Sequence, residues 1–171
     1  PAPSFNPDWS SLPEDVWQRT KVLIVCSPNN PSGSVLQLED WKEIFDLQDK
    51  YGFVIASDEC YSEIYFDGNK PIGGLQAAAQ LGRGMRNIIM FTSLSKRSNV
   101  PGLRSGFVAG DAELLKNFLL YRTYHGSAMS IPVQRAIIAA WNDEENVIYN
   151  RRLYQEKFDR VIPILQQVFD V

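Results

Sequence analysis

Histidine is nearly missing from this sequence: His125 is the only one, and the two cysteines, Cys26 and Cys60, stand far apart without C-x-x-C spacing. Too few imidazole and thiolate ligands remain for a zinc or iron–sulfur centre of the usual kinds, so no metal site is expected. Two thiols in or beside apolar runs give no disulfide framework either, and they read as reduced groups of a cytoplasmic protein. Positive charge is not in excess. Lys and Arg number 17 against 20 Asp and Glu, a formal net charge of −3, and no cationic stripe marks a nucleic-acid surface. No apolar run is long enough to cross a bilayer, and residues 1–5, Pro-Ala-Pro-Ser-Phe, do not open a signal peptide, so no membrane partner is expected. Internal repeats and low-complexity tracts are also lacking.

With 44% hydrophobic and 22% charged residues in 171, the chain can build one ordinary core. Residues 21–26, 53–57 and 87–92 are short, mostly apolar runs that predict buried strands. Between the first two, Leu38, Trp41, Ile44, Phe45 and Tyr51 approximate a helical stripe, and Gly52 suits its stop. This βαβ rhythm predicts an α/β fold, a mostly parallel sheet with helices on its faces. Residues 106–110 give a fourth strand. Asp111 then caps a helix with Leu114, Leu115, Phe118 and Leu119 on one side, and His125 falls in a loop near its end. Another helix runs over 132–141. From Asp143 onward a long helix carries Val147, Ile148, Leu153, Phe158 and Val161, with a kink at Pro163. The first twenty residues, containing Pro1, Pro3, Pro7 and Pro13, read as an irregular lead-in packed down by Trp9 and Trp17.

Each of the first three strands ends in polar residues: Asn30 within Ser27-Pro-Asn-Asn-Pro-Ser-Gly33, then Asp58 and Tyr61, then Ser93, Ser95 and Lys96. In a parallel sheet these tips lie side by side at the carboxyl edge, where open α/β sheets bind ligands. A lysine there with Arg104 eight residues on suits a cofactor that has an aldehyde and a phosphate tail. An amine condenses only when unprotonated, and a free lysine has a pKa of ~10.4. Lys96 would therefore need desolvation and the neighbouring cations Arg97 and Arg104 to release its proton. Each residue also has a plain structural role: a solvated loop lysine, a helix-capping Asp58, an Asn30 that makes the turn before Pro31, a packing Tyr61. Ser93-Leu-Ser-Lys96 also fits the S-x-x-K pattern of penicillin-binding proteins. There it opens a helix, whereas here it follows a strand and no Lys-Thr-Gly triplet occurs.

In combination, Pro28-Asn-Asn-Pro-Ser-Gly33, Asp58-Glu-Cys-Tyr61, Ser93-Leu-Ser-Lys96 and Pro101-Gly-Leu-Arg104 resemble, in order and separation, the central part of a fold-type I, pyridoxal-phosphate-dependent aminotransferase of classes I and II. Gly73-Gly-Leu75 and residues 124–130 look most like the succinyldiaminopimelate aminotransferases of bacterial lysine synthesis. The resemblance implies a three-layer sandwich, a partial large domain whose fourth strand runs antiparallel. It divides the chain into a lead-in (1–20), a partial cofactor-binding domain (21–142) and a long helix leading toward a small domain (143–171). Lys96 would hold the cofactor and shuttle a proton. Asp58 would pair with the ring nitrogen, Asn30 and Tyr61 would bond the phenolic oxygen, and Ser93, Ser95 and Arg104 would bind the phosphate.

The substrates implied are an amino acid and a 2-oxo acid, with succinyldiaminopimelate and 2-oxoglutarate as the specific pair and a homodimer as the assembly. A carbon–sulfur lyase using the same cofactor is the nearest alternative chemistry. The chain matches only about the middle half of a typical member, so a non-catalytic α/β fragment is the other alternative. The expected upstream phosphate loop and stacking ring, and the downstream arginine for the substrate carboxylate, have no counterpart here.

Overall fold

A computed structural model describes residues 5–66, 68–126 and 128–170. Pro1 and Pro3 of the expected lead-in, and Ser127 of the 124–130 stretch, lie outside them. Four strands, β1 (Val22–Cys26), β2 (Val54–Asp58), β3 (Ile88–Ser93) and β4 (Gly106–Gly110), form one sheet in sequence order. The first three are parallel and β4 runs antiparallel to β3. Cys26, Asp58 and Phe91 are register partners across the parallel strands, which brings their carboxyl ends level.

One face of the sheet is covered by α2 (Leu38–Tyr51) and α3 (Gly74–Gln80). α2 starts at a reciprocal cap in which the Gln37 amide donates to Asp40 at 2.7 Å, and it ends where Gly52 takes φ +74°, a conformation that costs glycine little. Its stripe Trp41, Ile44 and Phe45 packs with Val25, Ile55, Ile88, Ala77 and Ala78 into the core. On the other face Phe118 of α5 (Ala112–His125) meets Phe91 edge-on at 6.1 Å. Helix, sheet and helix make the expected three layers.

α4 (Leu94–Arg97), α6 (Ile131–Trp141) and α7 (Glu144–Leu165) complete the fold. Asp111 caps α5, accepting from the Glu113 and Leu114 amides, and also accepts from Asn87 at 2.7 Å. These bonds, the one from Asn87 first, hold its carboxyl below the usual range. Among the described residues no helix is long and apolar enough to cross a membrane.

Several expectations change. The lead-in is not irregular throughout: Trp9–Ser11 form a 3-10 turn and Glu14–Arg19 form α1, with Trp9 and Trp17 buried as expected. β2 and β3 each extend one residue further than expected, so Asp58 and Ser93 end strands and do not lie in loops. Asn87 has φ +58° and precedes β3. Leu119 does not join an inward side of α5; it is 68% exposed. His125 is the last residue of α5, its ring stacked on Tyr121. α7 runs through Pro163 to Leu165.

Candidate cofactor site

Asn30 is presented by a loop that the buried Ser27 hydroxyl fixes by accepting from the Leu36 amide at 3.0 Å. Within it the Asn29 amide donates to Ser34 O and Gly33, at φ +74°, donates to Asn29 O. Asn30 Nδ2 then donates to the Tyr61 hydroxyl at 3.3 Å across the gap between the β1 and β2 tips. The pairing of these two residues, 31 apart in sequence, could not be read from spacing. Tyr61 also borders a cavity of about 330 Å³, lined besides by Val35, Ile64, Phe66 and Phe158.

Asp58 ends β2 and accepts from the Cys60 amide at 3.1 Å. The Cys60 thiol is pushed up to about 12, by burial first and then by bonding to Asp58 and its charge, while the charge of Lys96 works the other way. Burial also pushes the Cys26 thiol up, with Asp58 adding to it. Both cysteines are free.

Lys96 is half-buried on α4, with Nζ 5.6 Å from the centre of the Tyr61 ring. Leu94, wholly buried, pins the turn to the protein. The cation expected beside Lys96 is elsewhere: Arg97 donates to Ala140 O and Trp141 O, pairs with Glu144 and covers the Trp141 ring. It engages the α6–α7 junction because those carbonyls and that carboxylate satisfy a guanidinium that is largely out of water.

Ser93 caps α4, its hydroxyl accepting from the Ser95 amide at 3.0 Å; the two hydroxyls lie 2.8 Å apart and Ser93 also bonds Ser105 O. The S-x-x-K segment thus does open a short helix, contrary to expectation, because the hydroxyl that ends β3 supplies the cap. Arg104 is exposed at φ +51°, with Nη1 on Pro101 O at 2.9 Å. Ser93 and Arg104 border one cavity of about 510 Å³, joined there by Arg122, a cation the sequence did not suggest. Ser95 does not border it. Asn30, Tyr61 and Lys96 are thus brought together, and Ser93 with Arg104 sit beyond the other end of α4.

Glu59 was also missed. Its carboxylate accepts from the Ser57 hydroxyl and from the Gly74 amide at the start of α3, both at 2.9 Å. Burial pushes it above the usual carboxylate range, against those two bonds. Gly73 answers to it, because a Cβ there would overlap the carboxylate. The glycine pair that follows at 73–74 is the sequence signal that could have found this contact.

As a donor set, an amine, a carboxylate, an amide–phenol pair, two hydroxyls and a guanidinium, at the strand tips or on the segments that follow them, suit a ring that carries an aldehyde, a basic nitrogen, a phenolic oxygen and a phosphate. The chain matches a family model described as aminotransferase class I and II over residues 1–171. An LL-diaminopimelate aminotransferase of Dehalococcoides mccartyi is 34% identical over 168 residues, which are 96% of this chain and 42% of that one. The crystal structure of an aminotransferase from Neisseria meningitidis superposes with a TM-score of 0.96 at 84% identity, over 100% of this chain and 44% of its own. A probable N-succinyldiaminopimelate aminotransferase from Thermus thermophilus gives a TM-score of 0.85 at 28% identity, over 95% and 43%. The chain spans less than half the length of each of these relatives. By sequence and by fold, it belongs to the class I and II aminotransferases.

Proposed function

We propose that the protein containing this chain is a pyridoxal-phosphate-dependent aminotransferase that moves an amino group between an amino acid and a 2-oxo acid. Its donor is a diaminopimelate-type amino acid, N-succinylated by the sequence resemblance or free as in the name of the Dehalococcoides relative, and its acceptor is 2-oxoglutarate. The observation that carries this reading is the meeting of three strand tips: Asn30 bonded to Tyr61, and the Lys96 amine over the Tyr61 ring.

Pyridoxal phosphate, when bound, supplies an aldehyde and a ring that takes up electrons. In this reading Lys96 Nζ holds the aldehyde and, once displaced, is the base that takes the proton from the substrate α-carbon. The Asp58 carboxylate keeps the ring nitrogen protonated. A hydroxyl both accepts and donates, so Tyr61 can receive the Asn30 amide and still donate its own proton to the phenolic oxygen. Ser93 and Ser95 give single bonds to phosphate and Arg104 gives a planar fork. Residues 143–171 lead toward a small domain, the working unit is a homodimer, and the compartment is the cytoplasm. The family resemblance grounds the first two, the free thiols the third.

Pyridoxal phosphate added to the full-length protein should give a visible absorption band that Lys96→Ala removes, and an amino-donor screen with 2-oxoglutarate should select diaminopimelate compounds. No Lys96-dependent band would overturn the cofactor assignment. Pyruvate and ammonia release from sulfur amino acids would turn the reading to a carbon–sulfur lyase. For the 171 residues alone a second reading, a non-catalytic fragment, is favoured by open surface: Ile24 on the edge strand β1 is 75% exposed.

A further inference from the structure

α4 is four residues long, and one helical turn does not hold its own shape in water, because nucleating it costs more than one hydrogen bond returns. Ser93 and Leu94 hold its first residues, and what fixes the end that carries Lys96 comes from α7. Asn150, buried within α7, donates from Nδ2 to Lys96 O at 3.2 Å. One turn earlier Asn146 donates to Ser98 O at 3.4 Å. The last carbonyls of a helix have no partner inside it, so these two amides close the end of α4. Asparagine is a poor helix former, and a buried amide is costly unless bonded. At 150 that cost is offset by the bond to Lys96 O.

The next residue reaches in another direction. Arg151 Nε donates to Glu63 O at 2.9 Å and its guanidinium pairs with the Glu63 carboxylate at 2.8 Å, both side chains only 21% exposed. The same guanidinium lies 3.9 Å from the centre of the Tyr65 ring. Glu63 and Tyr65 belong to the segment that leaves Tyr61, where Ile64 N donates back to Tyr61 O. Two consecutive residues of one helix thus hold the two segments that carry Lys96 and Tyr61.

We infer that Asn150 and Arg151 are positioning residues, tying the Lys96 turn and the Tyr61 loop to a common rod and so setting the separation of the amine from the phenol ring. The inference rests on the reading that Lys96 and Tyr61 serve one site, and it adds which residues hold them in register. An amine reacts only when it is held where an electrophile can reach it, so loosening either tie changes how readily Lys96 reacts.

The test uses the full-length protein freed of cofactor. Acetylation of Lys96 by acetic anhydride at one fixed pH, followed by mass spectrometry, gives its rate of reaction relative to the exposed lysines. Asn150→Leu is close in size, uncharged and has no donor, and it should change that ratio by about threefold or more. With pyridoxal phosphate added, cofactor retention should fall by about tenfold. Arg151→Met should change the ratio as well, and Arg151→Lys, which keeps the charge opposite Glu63, should restore part of the change. Arg152→Ala, which removes an exposed pair with Glu156, should leave it unmoved. An unchanged ratio in Asn150→Leu and Arg151→Met, even with lowered thermal stability, would overturn the inference. If Asn150→Leu does not fold, the Arg151 pair decides by the same ratio. A missing Lys96-dependent band in the wild type would count against the proposed function instead, since the acetylation measurement needs no cofactor.

Discussion

On the α2 side of the sheet Trp41, Ile44, Phe45, Ile55 and Ile88 are almost wholly buried, whereas Leu119 and Leu120 on α5, Ile138 on α6 and Ile148 on α7 lie open. The first side is held by apolar burial, worth roughly 25 cal/mol for each Å² removed from water. The second buries fewer large apolar side chains, Leu94, Ile137 and Val147 among them, and joins its elements by polar bonds: Arg97 to the α6–α7 junction, Asn150 to Lys96 O, Arg151 to Glu63. The candidate site lies along the boundary. Its strand tips are fixed by a close-packed core that leaves them one position, while its lysine turn is fixed by one buried side chain, Leu94, and a small number of hydrogen bonds that a single substitution can remove.

The contrast breaks most sharply at Phe45. Phe45→Ala should cost about 3–5 kcal/mol in urea unfolding, a transfer loss plus a cavity in a rigid core; a cost near that of a surface change would mean that the α2 side is not the core. Gly73→Ala comes next, at roughly 1–3 kcal/mol, because the added methyl displaces a buried carboxylate from the α3 amide it serves. Pairing it with Glu59→Ala, which removes the overlapping group, should cost less than the sum of the two single changes, and strict additivity of the two would refute the clash.

Glu59 also gives the core side a pH dependence. Its carboxyl sits above the usual range in the folded protein, with burial the main cause, so folding favours the protonated form. The associated stability is fully present below the unfolded carboxylate pKa of about 4.3 and is lost as pH rises through the raised folded value. Glu59→Gln, whose amide oxygen can accept the same two bonds, should flatten that part of the urea-midpoint profile and be no less stable at neutral pH. A profile identical to wild type would show that Glu59 carries no such cost. The smallest effect is expected at Leu120→Gln on the open side, within about 0.5 kcal/mol of wild type, accompanied by less self-association in light scattering. A larger loss would mean that α5 contributes more than its exposure implies.

Much of the site was legible because strand tips are a property of pattern. Short apolar runs that stop at polar clusters placed Asn30, Asp58, Tyr61, Ser93 and Lys96 at one edge, and the structure brings Asn30, Tyr61 and Lys96 together. Arg97 misled because adjacency in sequence says nothing of direction on a helix turn, and its partners lie 43 and 44 residues away. Asn150 and Arg151 were invisible for the same reason: each acts on a backbone group that only the folded chain brings near, whereas Glu59 left a trace in the glycines at 73–74. The lead-in was misjudged because prolines punctuate a segment without forbidding a short helix that begins after one of them. Leu119 failed because an apolar stripe shows what a helix could bury, not what this chain offers to cover it.

The sequence by itself determined which segments become strands, where they stop to within a residue, and hence which polar groups stand at the carboxyl edge, since these follow from local hydrophobic pattern and turn chemistry. Tertiary structure alone decided how those groups meet. The Asn30–Tyr61 bond, the seat of the Lys96 amine and the ties from α7 join segments tens of residues apart. Distances of that kind are set by register and packing, which no local pattern encodes.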